Sequence, residues 1–343
     1  MPSDHREAPH RATLTPTWHP SLVRWALPRG RRRAGALAVL AALVAACRGS
    51  GSSLAGSDAT STPTSPTSSS TKQTSGSTST TATGGARAGV VTADRLALPA
   101  RPEAVELVLL RVERALRTDG ESAAALRDLG IDQQVAYRAL SVHPDWVRTV
   151  LAALPADLAK AVAATVSAGA AVGGLTEPAR ALPVWKIVTP LPVDTLMASY
   201  REAESLSGIA WQYFAAIHFV ETRVGRIVGP STAGAQGPMQ FLPSTWAEFG
   251  RGGDIYDAHD AILAAARFLL ARGGPANLDR ALFSYNPDRR YVDSIEGYAS
   301  VMLDDARAYA GYHAWQVYYS TADGTFLLPE GYPNVPALEL PPS

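Results

Sequence analysis

From residue 93 onward, apolar side chains recur every three to four positions, the spacing that gathers them on one face of an α-helix. Between residues 102 and 117, Val105, Val108, Leu109, Val112 and Leu116 repeat in this way and predict a helix with one buried face. The same period predicts shorter helices over 121–129, 132–140, 145–154 and 157–168. Most of these open on Asp or Glu and close near Gly or Pro, as caps and the helix dipole favour. Pro190-Leu191-Pro192 then separates a second group, with helices predicted from Asp194 to about 206 and over 209–224, 258–272, 277–284 and 290–310. The segment 209–224 differs from the others, because its apolar residues cover most of the circumference. It reads as the buried central helix of its domain. Near the end, 315–319 and 325–328 flank Asp323-Gly324, a hairpin signal. The fold class is mainly α, with a helical accessory region at 93–190, a helical domain at 191–312 and a small C-terminal β-hairpin and tail at 313–343.

The first 92 residues follow other patterns. Arg31-Arg32-Arg33 precedes thirteen small or apolar residues, Ala34 to Ala46, and then Cys47. Thirteen helical residues reach only about 20 Å, short of a hydrocarbon core of about 30 Å, so a signal-peptide core fits better than a membrane span. Cys47 is the chain's single cysteine and cannot form an internal disulfide. Placed after Leu43-Val44-Ala45-Ala46, it resembles the cysteine of a bacterial lipobox. That resemblance implies a leader at 1–47, a lipid on Cys47 as the membrane attachment, and an extracytoplasmic location. Between residues 51 and 85, 21 of 35 positions are Ser or Thr. Such a composition buries too little surface to offset its ordering entropy, so 48–92 is expected to be a disordered tether. A coil of about 40 residues reaches roughly 35 Å. Without residues 1–47 the chain carries 24 basic and 29 acidic residues, a net of −5. A mildly acidic domain of this kind is a poor nucleic-acid binder.

The candidate chemistry centres on Glu221, near the C-terminal end of the apolar helix 209–224. A glycosidase acid must carry its proton on meeting the glycosidic oxygen. A free Glu titrates near ~4.3, which leaves about one molecule in 500 protonated at pH 7, whereas a value raised to around 6 gives about one in ten. Burial behind Phe214 to Val220 and a position at the negative end of a helix dipole both push in that direction. His218 lies one turn away, but neither a second His or Cys at ligand spacing nor an HExxH pattern accompanies it. It is expected to be structural, with no metal site. Asp254, Asp257 and Asp260 are the candidate partner carboxylates and read as surface or capping residues. The segment 251–257 lacks the alternating ligands and closing Glu of an EF-hand, so no calcium and no cofactor are expected.

Taken in order, Glu221-Thr222-Arg223, Ser231, Gly234-Ala235-Gln236-Gly237-Pro238-Met239-Gln240-Phe241-Leu242-Pro243-Ser244-Thr245-Trp246 and Ser284-Tyr285-Asn286 resemble the lytic transglycosylases of the goose-type lysozyme superfamily, the membrane-bound type B branch above all. The resemblance covers roughly residues 190–300. It implies a lysozyme-like helical domain that acts on peptidoglycan, with Glu221 as sole general acid/base. Ser231 would bond the 2-acetamido group of muramic acid, Gln240 would contact the glycan, and Met239, Tyr285 and Asn286 would line the site. Glu221 would protonate the leaving oxygen and then accept the C6 hydroxyl proton, giving a 1,6-anhydromuramoyl end. Thr222 departs from the Ser that many relatives carry. A hydrolytic muramidase on the same scaffold and a non-catalytic wall-binding lipoprotein are the alternatives. Cell-wall or division machinery is a further partner class, unspecified by the motifs.

Overall fold

The computed structural model describes residues 94–341. The leader, Cys47 and the Ser/Thr-rich segment lie outside the described residues. Four helices come first: α1 (Pro102–Leu116), α2 (Ala123–Val142), α3 (Val147–Ala153) and α4 (Ala156–Gly173). The short strand β1 (Lys186–Ile187) leads to α5 (Val193–Ser207), α6 (Trp211–Thr222) and β2 (Ile227–Val228). Then come α7 (Pro243–Phe249), α8 (Ala258–Ala271), α9 (Leu278–Tyr285), α10 (Arg289–Asp304) and α11 (Ala308–Ala314), and finally β3 (Val317–Thr321), β4 (Gly324–Leu328) and β5 (Leu338–Glu339). The mainly helical class read from the sequence holds.

Local chemistry sets the boundaries. Ser122, Asp257, Asn277 and Asp288 each accept a backbone N–H within the first turn of the helix they precede. Pro102 and Pro243 open α1 and α7. Gly208, at φ 72°, stops α5 in the left-handed conformation that glycine adopts without strain.

Several elements differ from the sequence reading. The helices expected at 121–129 and 132–140 are one, α2, running through Gly130. A Cβ on Gly130 would lie 2.5 Å from Ala314 Cβ, so this glycine marks a close helix contact and not a break. The long helix expected over 290–310 is two, α10 and α11, separated where the Asp305 carboxylate accepts the Arg307 N–H at 3.0 Å. The hairpin loop is Ala322-Asp323, since Thr321 already faces Gly324 in the ladder. β5 extends that hairpin into an antiparallel three-stranded sheet, pairing Phe326 with Glu339 and Leu327 with Leu338. β1 and β2 form a separate two-stranded ribbon, with Ile187 opposite Ile227.

One apolar cluster runs through both helical groups. Val105, Leu109, Leu140 and Val162 from the first four helices share it with Tyr200, Phe214, Phe219, Tyr298 and Trp315. α4 approaches α10 closely, because small residues face each other: a Cβ on Gly297 would lie 2.8 Å from Ala168 Cβ. A buried polar network supports the same junction. Glu113, paired with Arg117, accepts from Gln133 Nε2 at 3.0 Å and the Tyr137 hydroxyl at 2.6 Å. Trp315 Nε1 donates to Gln133 Oε1 at 2.8 Å, and the Thr165 and Tyr312 hydroxyls meet at 2.6 Å. The helices of 93–190 thus pack directly behind α10 and α11. Among the described residues, no helix is long and apolar enough to cross a membrane.

Candidate functional site

α6 is apolar on nearly every side, so it sits in the core and carries Glu221 inward with it. The helix ends abruptly, because Arg223 and Val224 at φ 54° and Gly225 at φ 83° are three successive left-handed residues. Two of these are not glycine, a costly conformation that surrounding contacts must hold. Arg223 N–H donates to Phe219 O at 3.0 Å and Val224 N–H to His218 O at 3.1 Å, which closes the last turn of the helix. Glu221 is 3% exposed. The Tyr291 hydroxyl of α10 donates to Glu221 Oε1 at 2.8 Å, while Oε2 has no hydrogen-bond partner. Burial pushes the carboxyl pKa up from 4.5 to about 8, and the Tyr291 hydrogen bond opposes that rise. At pH 7 a group with that value is protonated in about nine molecules of ten.

The glycine-studded loop lies against the end of α6. Gln236 and Phe241 exchange both backbone hydrogen bonds, at 2.8 and 2.9 Å, closing a tight turn. Within it Gly237 has φ 74° and Gln240 φ 49°. The loop is tethered from two directions. Thr222 Oγ1 donates to Pro238 O at 2.6 Å and accepts the Gly225 N–H at 3.0 Å. The Tyr285 hydroxyl, at the end of α9, donates to Met239 O at 2.7 Å. The Tyr285 ring lies parallel to that of Tyr291, with centroids 6.2 Å apart. The acid, the loop and the two tyrosines therefore form one connected group.

The residues expected at the site take distinct positions. The Met239 side chain is fully buried in the core, and its carbonyl holds Tyr285. Gln240 is half-buried, with Nε2 donating to Gly237 O at 2.9 Å, which leaves Oε1 to accept from a ligand. Ser231 Oγ accepts the Ala233 and Ala235 N–H groups at 3.2 and 3.0 Å, and its own proton remains to be donated. Asn286 is buried at the end of α9, directly after Tyr285. Tyr291 and the Thr222 hydroxyl escaped the sequence reading. Tyr291 looks like one more apolar-face residue of a helix, and only the packing of α10 on α6 brings it to the acid.

His218 is fully buried, and its Nδ1 is bonded to the Tyr200 hydroxyl at 2.8 Å, which in turn lies 3.2 Å from the Tyr309 hydroxyl. Burial lowers its pKa to about 3, so the ring is neutral. Asp257, His259 and Asp260 gather within 4.8 Å of one another. Their groups already have partners: Asp257 Oδ1 accepts Asp260 N and Asp260 Oδ2 accepts Asp254 N in the turn, and His259 Nε2 meets Glu202 of α5. The two causes that shift Glu221 are burial and Tyr291, and no carboxylate among the described residues is one of them.

The chain is similar to the membrane-bound lytic murein transglycosylase F of Thiobacillus denitrificans, at 28% identity over 151 residues. The match takes in 42% of this chain and 32% of that relative, so the chain spans about a third of the relative's length. No protein-family model and no solved structure matches the chain.

Proposed function

We propose that this chain is a peptidoglycan lytic transglycosylase that cleaves the β-1,4 bond between N-acetylmuramic acid and N-acetylglucosamine. The observation that carries this reading is the state of Glu221. One carboxyl oxygen is held by Tyr291, the other has no partner, and burial keeps the group protonated at neutral pH. Such a group is a general acid poised to donate. A two-carboxylate glycosidase needs a partner acid roughly 5 to 10 Å away. Asp254, Asp257 and Asp260, the candidate partners read from the sequence, are engaged on the loop surface. A single acid fits a route in which the substrate supplies its own nucleophile. Glu221 gives its proton to the leaving glycosidic oxygen as the C1–O bond breaks, and the 2-acetamido group stabilises the charge at C1. The Glu221 carboxylate then takes the C6 hydroxyl proton while that oxygen bonds to C1, which closes the 1,6-anhydro ring and restores the acid.

Ser231 and Gln240 are assigned to the sugar chain, through a free hydroxyl proton and a free amide oxygen. Tyr285 and Asn286 are assigned to line the site beside the acid. In this reading Cys47 carries the lipid that keeps the domain at the outer face of the cytoplasmic membrane, and the 48–92 tether lets it reach the wall. Digestion of purified peptidoglycan by wild type and Glu221→Gln, read by mass spectrometry, tests the proposal. Anhydro ends from the wild type alone are expected. Products heavier by one water would make the chain a muramidase, and binding without products would make it a wall-binding protein.

A further inference from the structure

The turn that precedes α8 touches the glycine-rich loop. A Cβ on Gly237 would lie 1.9 Å from Ile255 O, so only glycine lets the two backbones meet there. The next residue, Tyr256, is 62% exposed, yet its position is closely determined. Its N–H donates to Asp254 Oδ1 at 2.9 Å, and Asp257 N–H donates to Asp254 O at 3.0 Å. Asp254 N–H is in turn held by Asp260 Oδ2 at 2.9 Å. At the far end of the ring, the Tyr256 hydroxyl donates to Gln236 Oε1 at 3.1 Å. The ring is thus anchored at both ends while much of its surface stays open to solvent. An apolar side chain fixed in water loses rotamer freedom without burial to offset it, and an anchored ring is already arranged for a partner.

Gln236 belongs to the turn that also carries Gln240, and its Oε1 is occupied by Tyr256. Its amide therefore presents N–H donors beside the open ring. A flat aromatic face flanked by amide donors suits a pyranose ring. The sugar's axial C–H groups lie on the ring, and its hydroxyls or acetamido carbonyl accept from the amide. Thr222 ties the same loop to the helix of Glu221, so the open ring and the acid are held by one connected loop.

We infer that Tyr256 and Gln236 form an additional sugar-binding subsite on the outer lip of the glycine-rich loop, gripping one N-acetylhexosamine of the glycan strand. The inference rests on the proposed glycan-cleaving function. Its test is calorimetric titration of the full chain with the tetramer of N-acetylglucosamine, in the Glu221→Gln background so that the ligand stays intact. Tyr256→Ala should weaken binding about tenfold, Tyr256→Leu by as much, and Tyr256→Trp not at all, because the aromatic face and not mere apolarity makes the contact. Gln236→Ala should weaken binding about threefold. In the active protein, the Tyr256→Ala loss should fall on KM for soluble glycan strands more than on kcat. Equal tetramer affinity in Tyr256→Ala and its parent, with the parent binding and the wild type cleaving glycan, would overturn the subsite alone. If the parent binds no tetramer and the wild type cuts no peptidoglycan, the proposed function falls and takes the subsite with it.

Discussion

The Tyr291 hydroxyl holds one oxygen of Glu221 at 2.8 Å and leaves the other without a partner. That hydrogen bond fixes the carboxyl's orientation and also draws its pKa down against the pull of burial. Tyr291→Phe therefore has two separable effects. The acid loses its orientation, and turnover near pH 6 should drop at least about tenfold, within the range a positioned acid supplies. The carboxyl should also hold its proton to higher pH, so the alkaline limb of the pH–rate profile moves upward. A profile that keeps its shape while the rate falls would mean that Tyr291 serves packing only.

Glu221 ionises near 4.5 when unfolded and at about 8 in the fold. Between those values the folded chain keeps a proton that the unfolded chain has released. Stability due to this group is therefore unaffected below about pH 4.5, falls as pH rises to about 8, and levels off beyond. Glu221→Gln cannot ionise. Relative to wild type it should gain stability through that window, by up to about 1.4 kcal/mol for each pH unit. Urea unfolding of both proteins at pH 5 and pH 8 checks this. A difference that does not grow with pH would remove the buried, protonated acid from the proposed mechanism.

The Thr222 hydroxyl is spent twice, on Pro238 O and on the Gly225 N–H. Thr222→Val keeps the shape and deletes both bonds in a fully buried position. Leaving the buried Pro238 carbonyl and the half-buried Gly225 N–H unpaired should cost about 2 kcal/mol and loosen the loop against the acid. Thr222→Ser retains the hydroxyl and should stay within about 1 kcal/mol of wild type. Denaturation midpoints of the pair decide the point, and a larger loss in Thr222→Ser than in Thr222→Val would show that the methyl group, not the hydroxyl, matters.

Much of this site was legible before the structure. Glu221 stands out because α6 is apolar all round and its one acid lies at the end, so periodicity alone predicts burial. The glycines of the following loop announce a tight turn, and Gly237 and Gly234 do take positive φ. Tyr291 was not legible, since its role depends on where α10 crosses α6, and nothing local encodes that crossing. Gly130 misled for a related reason. A glycine inside a periodic segment reads equally as a break or as a close contact, and only the partner helix, here α11, decides. The polar network around Glu113 was hidden likewise, because Gln133 and Trp315 meet across 182 positions of sequence.

The packing of α4 on α10 gives the last prediction, which concerns how the first helical group serves the site. Two glycines lie at this junction and behave oppositely. A Cβ on Gly297 would come within 2.8 Å of Ala168 Cβ and 3.3 Å of Ala164 O, whereas a Cβ on Gly169 would meet only the Tyr298 hydroxyl, at an ordinary 3.5 Å. Gly169→Ala should therefore be neutral or stabilising by up to about 1 kcal/mol, the usual helix-propensity gain. Gly297→Ala should forgo that gain and lose about 1–3 kcal/mol as the helices separate. α10 also carries Tyr291, so separation should lower turnover by misplacing the donor to Glu221. Adding Ala168→Gly removes the opposing methyl group, and the double variant should recover both stability and turnover beyond the sum of the single changes. Strict additivity would mean that the two positions do not touch, and that α4 covers α10 without setting the position of Tyr291.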